Sequence, residues 1–215
     1  MTMQIEQKQD FLTVVKSRRS VRVYDPNFAI SKDEINELLR TAVLAPSSSN
    51  LQPWRFLVIQ DAERKQQLLP IAFNQQQVVE ASAVIAVLAD LKSYEKAELI
   101  YDQAVKAGYM SEATKTDFVS RTVGMYGSLP PAKLRDIALV DGGLVSMQLM
   151  LAAKAKGYDT VPMGGYDAAK LKEAFGISEQ YAPVMLIALG KAAKEGHPTA
   201  RMSVDDVTYW NHMNG

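Results

Sequence analysis

Cysteine is absent from all 215 residues of this chain, and its absence removes several kinds of chemistry together. Disulfides, iron–sulfur clusters, thiolate zinc sites and thiol nucleophiles are all excluded, so any redox work has to reside on a bound cofactor. Histidine is scarce. His197 and His212 are the only two, neither has a second ligand at metal-binding spacing, and both read as surface residues, so no metal site is expected. An excess of charge is also missing. Lys plus Arg equals Asp plus Glu at 24 each, which leaves a nucleic-acid partner without global electrostatic support. No apolar run approaches the ~20 residues that span a bilayer, and residues 1–10 lack the apolar segment of a signal peptide. The expectation is a cytoplasmic protein with no membrane partner.

What is present describes an ordinary globular chain, with 47% hydrophobic and 22% charged residues. The length suits one domain spanning residues 1–215. Its most unusual stretch is Ala45-Pro46-Ser47-Ser48-Ser49-Asn50-Leu51-Gln52-Pro53-Trp54. Pro46 is expected to stop the preceding helix and Pro53 to hold Gln52 extended. Hydroxyls and amides would then line a stiff frame at a strand's entrance. Two readings are open, a ligand-facing polar rim and an ordinary Ser/Asn turn.

Upstream lies a basic cluster, Ser17-Arg18-Arg19-Ser20-Val21-Arg22-Val23-Tyr24. The spacing of Phe11, Leu12 and Val15 predicts a helix over residues 5–16. Its C-terminal dipole would favour the cations Arg18 and Arg19. Arg22 lies beyond that helix, and extended alternation would place it on one side with Ser20. The planar fork of arginine suits a phosphate dianion, although a solvated basic turn is the plainer alternative.

Further along, Ser31 to Glu34 forms a capping box opening a helix with Ile35, Leu38, Leu39 and Ala42 inward. Trp54 begins a strand over residues 54–59 and reads as a packing anchor. Asp61 caps a helix that Pro70 limits, and Asn74 follows it. Residues 83–89 are continuously apolar, as in a strand buried on both faces. Residues 91–129 carry five aromatics, and a break at Gly108 suggests two helices there. Pro130-Pro131 starts a long apolar helix over residues 132–156, which is either a domain core or half of a dimer interface. Within it, Gly142-Gly143 suggests close approach to another helix. In residues 159–166, Pro162-Met163 offers a flat apolar surface, and Gly164-Gly165 exposes backbone N–H groups before a helix begun by Asp167. A strand over residues 182–189, broken at its start by Pro183, leads through Gly190 to Arg201. In the tail, residues 203–215, Tyr209 and Trp210 suggest anchoring on a surface such as a second subunit.

Taken in order, Arg18-Arg19-Ser20-x-Arg22-x-Tyr24, the stretch from Ala45 to Trp54, the stretch from Val161 to Asp167, and the ending from Gly190 to Arg201 resemble the FMN-dependent nitroreductase family over residues 14–201. The resemblance implies an α+β fold, a central, mainly antiparallel sheet flanked by helices, in an intertwined homodimer with one non-covalent FMN per subunit. It implies NADH or NADPH as electron donor, a small-molecule acceptor such as a nitro compound or quinone, and ping-pong turnover. By position, Arg18, Arg19, Ser20, Arg22 and Arg201 would hold phosphate and ribityl. Pro46, Ser47, Ser48, Asn50, Gln52, Asn74, Pro162, Met163, Gly164 and Gly165 would surround the flavin. Many relatives carry an acidic residue where this chain has Gly164, so only its backbone is proposed near flavin N5, and no catalytic side chain is expected. Thr199 stands where the family has the second member of a basic pair. Residues 91–129 would form a variable cover, with Phe118 and Tyr126 as candidates for the substrate side. Flavin reductase activity, or flavin storage without turnover, would fit the same pattern.

Overall fold

The computed structural model describes residues 10–213. The chain enters through α1 (Phe11–Ser17), where the Asp10 carboxylate accepts the Thr13 N–H as an N-cap. Residues 5–9 of the predicted helix lie outside the described residues. Of its apolar positions Val14 is buried, whereas Phe11, Leu12 and Val15 are exposed. A short β1 (Val23–Tyr24) leads to α2 (Lys32–Ala42), opened by the expected capping box. α2 ends at Ala42, with the Val43 N–H donating to the Leu39 carbonyl and the Leu44 N–H to that of Thr41, so Pro46 is not what stops it.

The next elements are β2 (Trp54–Ile59), α3 (Ala62–Ile71), α4 (Gln77–Glu80) and β3 (Ala83–Asp90). Pro70 falls inside the last turn of α3, one residue before its end. α5 (Ala97–Lys106) and α6 (Glu112–Gly127) follow, separated by Gly108 at φ +76°. Then come α7 (Pro131–Ala155), β4 (Asp159–Met163), α8 (Ala168–Phe175), β5 (Tyr181–Gly190) and β6 (Ala192–Lys194).

The central sheet has four strands in the order β2-β3-β5-β4, all antiparallel neighbours. Every residue of β3 is buried, because helices cover both faces. Alternation along the strand sends Val84, Ala86 and Leu88 into one apolar cluster and Ala83, Ile85 and Val87 into the other. β5 divides likewise, Leu186 and Ala188 against Ile187 and Leu189. α3, α4 and α8 cover the first face through Leu68, Val78 and Leu171. α2 and α7 cover the second through Leu38, Val145 and Leu149, and Trp54 packs there too.

Pro183 does not break β5. Val87 pairs with Met185 and Leu88 with Pro183, which leaves Val184 as the extra residue of a bulge. The Val184 side chain fills the space that Gly142 leaves: a Cβ there would stand 2.6 Å from Val184 Cγ2. Gly142 therefore admits a strand, not a second helix. By length and composition α7 could cross a membrane. Its buried side, however, packs on the sheet through Val145 and Leu149, and it also buries Asp141.

Residues 91–129 form a smaller cluster of their own. Ala97, Tyr101 and Tyr126 pack with Leu51 and with Leu134 and Ile137 of α7. Lys115 bridges α6 to Asp102 of α5 at 2.7 Å. In the tail, Tyr209 and Trp210 are exposed in the single chain rather than folded onto it.

Candidate functional site

Arg18 is the residue at which α1 turns extended. From there Ser20 forms a parallel bridge with Thr160 of β4, and the Val21 N–H donates to the Thr160 carbonyl at 3.2 Å. Val21 and Tyr24 are both buried, which pins the register of the segment. The Tyr24 hydroxyl donates to the Ala188 carbonyl at 3.2 Å, and burial pushes its phenol pKa far up, so its role is packing. Val23 is exposed beside Arg22, since the pairing with β6 shifts register between Val23 and Tyr24.

The arginines of this segment differ in what they hold. Arg19 Nη1 donates to the Lys16 and Arg18 carbonyls at 2.6 and 2.8 Å, closing the end of α1. Arg22 is exposed and reaches only the Ser20 carbonyl, at 3.4 Å. Arg18 Nη1 is buried with no hydrogen-bond partner among the described residues. A buried, charged donor left unpaired is expensive, and an anion brought beside it would supply the missing acceptor.

β4 carries the segment's neighbour, Thr160, towards Gly164. Pro162 and Gly164 face outward, but Met163 is buried, and its sulfur accepts from Gln77 Nε2 at 3.3 Å. The flat apolar surface expected from Pro162 and Met163 is thus Pro162 alone. Nothing lies within 4 Å of where a Cβ on Gly164 would stand, and its φ is outside the left-handed region. The Gly165 carbonyl accepts from Gln75 Nε2 at 2.7 Å, which brings the turn after α3 to the same edge. In that turn Phe73 and Asn74 hold φ of 53° and 59°, and the Asn74 side chain makes no hydrogen bond among the described residues. The loop after β6 arrives from another direction. A Cβ on Gly196 would stand 2.6 Å from Arg19 Cβ and 2.9 Å from the Ser20 carbonyl. Arg201 itself stays exposed, donating to Thr199 Oγ1 at 2.6 Å, so Thr199 is its local partner here.

The serine loop is built differently. Ser49, Asn50 and Gln52 sit at φ of 49°, 53° and 47°, a region costing non-glycine residues about 1–2 kcal/mol each. Several contacts hold them there. The Ser48 N–H and hydroxyl both donate to the Asp141 carboxylate, at 3.0 and 3.1 Å. The Tyr101 hydroxyl donates to the Ser49 carbonyl at 3.0 Å, and Tyr126 Oη lies 3.1 Å from Ser49 Oγ. Ser47 Oγ accepts the Gln52 N–H at 3.0 Å. The hydroxyls of Ser47 and Ser48, expected to face a ligand, are therefore engaged inside the loop and on α7, while Asn50 and Pro46 remain exposed. Asp141 is only 3% exposed, and burial raises its pKa above the usual 3.8 while the Ser48 bonds oppose the shift. Tyr126, a candidate for the substrate side, is buried and stacked on Tyr94 with ring centroids 6.4 Å apart. Phe118 is partly exposed, at 43%, and packs edge-on against Tyr101.

The structure brings residues 18–22, 73–75 and 162–165 into one neighbourhood along β4. It hangs residues 47–52 on α5, α6 and α7, and no hydrogen bond among the described residues joins the two groups. Pro46 lies instead on the rim of a groove of about 620 Å³ between α1, α2 and α7, walled by Phe11, Val14, Leu144, Met147 and Leu151. Leu44, just past α2, and Val140 of α7 are further exposed apolar residues.

Sequence reasoning placed Asp141 on the helical repeat of α7 without giving it a role, and gave Asp90 none, yet both carboxylates are buried. Asp141 was legible as an acid on the inward repeat of an apolar helix. Asp90 was legible as an acid closing a doubly buried strand. Asp90 Oδ2 binds Arg55 at 2.8 Å and Lys96 at 2.7 Å, while Oδ1 accepts from Gln180 at 2.7 Å. Burial is the largest single influence on its pKa and pushes it up, but the bonds from Lys96, Gln180 and the Lys92 N–H, with the Lys96 charge, together outweigh it and hold the carboxyl below its usual value.

Comparison with known proteins places this geometry. A model described as the nitroreductase family matches residues 15–191. The chain is 50% identical over 203 residues to the "Putative NAD(P)H nitroreductase YdgI" of Bacillus subtilis, covering 94% of this chain and 97% of that one. A crystal structure from Exiguobacterium sibiricum, of a "putative nitroreductase in complex with FMN", superposes with a TM-score of 0.91 at 50% identity, covering 94% and 98% of the two chains. The "CLA biosynthesis enone reductase" of Lactiplantibacillus plantarum is 34% identical over 195 residues, covering 89% and 90%.

Proposed function

The chain belongs to the nitroreductase family, and from that premise we propose that it is an FMN-dependent oxidoreductase, drawing electrons from NADH or NADPH and delivering them to nitro compounds, quinones or conjugated carbonyl compounds. The observation that carries the reading is the buried, unpaired Nη1 of Arg18. It lies in the motif that the family resemblance assigns to the cofactor phosphate, and a dianion is the partner it needs. FMN supplies, when bound, the two-electron chemistry that no side chain of a cysteine-free protein offers.

The residues of the chain bind and orient. Arg18 receives phosphate, with Ser20 and Arg22 at its margin and Arg201 on the loop that Gly196 seats against Ser20. Asn74, Pro162 and the backbone of Gly164 and Gly165 line the isoalloxazine; at Gly164 the open space lets a ring approach the main chain. Met163 contributes through its backbone, since its side chain belongs to the core.

Pro46, Asn50 and Gln52, on the loop that Ser47 and Ser48 hold in shape, complete the site from a second copy of the chain. The exposed apolar side chains around Pro46, among them Leu44, Val140, Leu144 and Met147, support this, because clustered exposed apolar residues rimmed by polar ones mark interaction surfaces. The working unit is therefore a homodimer. Donor and acceptor occupy the same open face in turn, giving ping-pong kinetics.

The test begins with the purified protein. Heat should release FMN, not FAD, at one per chain; NADH or NADPH should bleach the flavin absorbance; and an added quinone should restore it. Initial-rate plots at several donor concentrations should be parallel. A colourless protein that binds no added FMN would overturn the reading. A yellow one that neither nicotinamide reduces would make it a flavin-storage protein.

A further inference from the structure

The turn after α3 and the turn after β4 are tied together by two hydrogen bonds. The Asp167 N–H donates to the Ile71 carbonyl at 2.9 Å, and Gln75 Nε2 donates to the Gly165 carbonyl at 2.7 Å. The second bond is one end of a chain of amides. Gln75 Nε2 places its other hydrogen on the Ala72 carbonyl at 3.0 Å, and Gln75 Oε1 accepts from Gln77 Nε2 at 3.0 Å. Gln77 directs its remaining hydrogen to Met163 Sδ at 3.3 Å. Gln77 is 6% exposed and Met163 3%, so the far end of the chain is fixed in the core. Gln75 is half-buried, and Gly165 at the near end is exposed. Both side-chain NH2 groups therefore have their hydrogens engaged, and the order of partners fixes which way Gln75 faces. Turned end for end, its oxygen would meet two carbonyls and its nitrogen would meet the Gln77 NH2.

The backbone beside this chain is unusual. Phe73 and Asn74 hold successive left-handed φ, which is rare for a bulky residue and persists only where the surroundings over-determine it. A Cβ on Gly165 would stand 3.5 Å from Gln75 Nε2 and 3.9 Å from the Phe73 ring, so the two turns are in contact. We propose that Gln75 and Gln77 are positioning residues for the flavin. Gln77 orients the Gln75 amide, and Gln75 holds the Gly165 carbonyl on the α3 turn, which leaves the N–H groups of the Gly164–Gly165 turn for the isoalloxazine. The proposal rests on the functional reading above, since those N–H groups need FMN as their target. Its consequence is a set reduction potential. N5 of the ring accepts a hydrogen bond when oxidised and carries its own hydrogen when reduced. An N–H aimed there favours the oxidised form, and a carbonyl turned there favours the reduced form. Releasing the Gly165 carbonyl loses the first and admits the second, so both effects raise the potential.

The experiment measures the midpoint potential of bound FMN by dye-equilibrated reductive titration, and the Kd of oxidised FMN by fluorescence quenching. The proteins are the FMN-loaded wild type, Gln75→Met, Gln77→Met and the double variant. Methionine keeps the length of the side chain and removes its donors. Loss of one neutral hydrogen bond by Gln75→Met should change the ratio of oxidised to reduced affinities about three- to tenfold, an upward shift of about 14–30 mV for a two-electron couple. Gln77→Met should shift the potential the same way by no more than that. The double variant should match Gln75→Met alone, because Gln77 acts through Gln75. If circular dichroism shows Gln77→Met to be misfolded, Gln77→Leu takes its place in both roles. Shifts that add in the double variant would overturn the role of Gln77. An unchanged or lowered potential in Gln75→Met, whatever happens to Kd, would show that the glutamine only braces the fold; it would overturn the proposal and leave the oxidoreductase reading intact. A wild type that binds no FMN would overturn that reading and this assignment with it.

Discussion

Replacing Asp141 with alanine should release the loop that carries Ser47 to Gln52. The carboxylate holds both the N–H and the hydroxyl of Ser48, and hydrogen bonds to a charged acceptor contribute about 1.5–3 kcal/mol each. Three offsets reduce the gross loss. Ser48 is half-buried, so water can reach it. The variant no longer has to bury a carboxylate, and the strain of the left-handed Ser49 and Asn50 can relax. The net expectation is a loss of about 2 kcal/mol, or about 4–8 °C in Tm for a chain of this length. Asp141→Asn keeps one acceptor and should lose about 1 kcal/mol.

The pH dependence has a definite sign. The folded pKa of Asp141 is raised above 3.8, with burial as the leading cause. Its contribution is therefore full below 3.8 and is lost as pH rises through the folded value. Wild-type stability minus that of Asp141→Asn should accordingly be largest in acid and shrink over the range above 3.8. Urea unfolding from pH 3.5 to 8 measures the stabilities, and fluorescence titration measures the FMN dissociation constant. If Asp141→Ala unfolds within about 0.5 kcal/mol of wild type, the range of an ordinary surface substitution, and binds FMN unchanged, the carboxylate is not the latch described.

Arg18→Met should weaken FMN binding by about 1.5–3 kcal/mol, or about 10- to 150-fold in Kd, yet raise the Tm of the FMN-free protein by removing an unpaired buried donor; a lowered Tm without FMN would show that the guanidinium already has a partner. Met147→Lys places a charge in the apolar groove at Pro46 and should give a monomer that loses FMN, read by light scattering; a stable, FMN-loaded dimer would exclude that face as the interface. Gly164 has open space and no left-handed φ, so Gly164→Ala should keep FMN and most activity. Gly164→Pro removes the N–H and should slow flavin reduction at least tenfold, towards the ~10²–10³ of a lost preorganised donor. Equal rates in the two variants, both dimeric and FMN-loaded, would remove the amide from the mechanism.

Local elements were legible where one turn or one period decides them. The Ser31 and Glu34 capping box, the Asp61 and Asp167 N-caps and the left-handed Gly108 all follow from neighbours within a few residues. The unbroken apolar run of β3 already required cover on both faces. Less legible was how a polar residue is used once the chain has folded. Arg18, Arg19 and Arg22 look alike in sequence, but Arg19 caps a helix, Arg22 faces solvent, and Arg18 buries one guanidinium nitrogen without a partner among the described residues. The difference comes from Val21 and Tyr24 locking the segment against β4 and β5. Tyr126 and Phe118 look equally suited to meet a substrate, but α6 turns the first into the core and leaves the second at a pocket.

The sequence by itself determined that no thiol is available, and it carries four ordered motifs that identify the family. It also determined most of the longer helices and strands, because their signals are periodic and short-range, whereas the short β1, α4 and β6 carry no such signal. Only the tertiary structure decided which polar groups remain free. Ser48 meets Asp141 across 93 positions of chain, and Gln75 meets Gly165 across 90. Pairings at that separation depend on how the helices seat on the two faces of the sheet, and no local pattern encodes them.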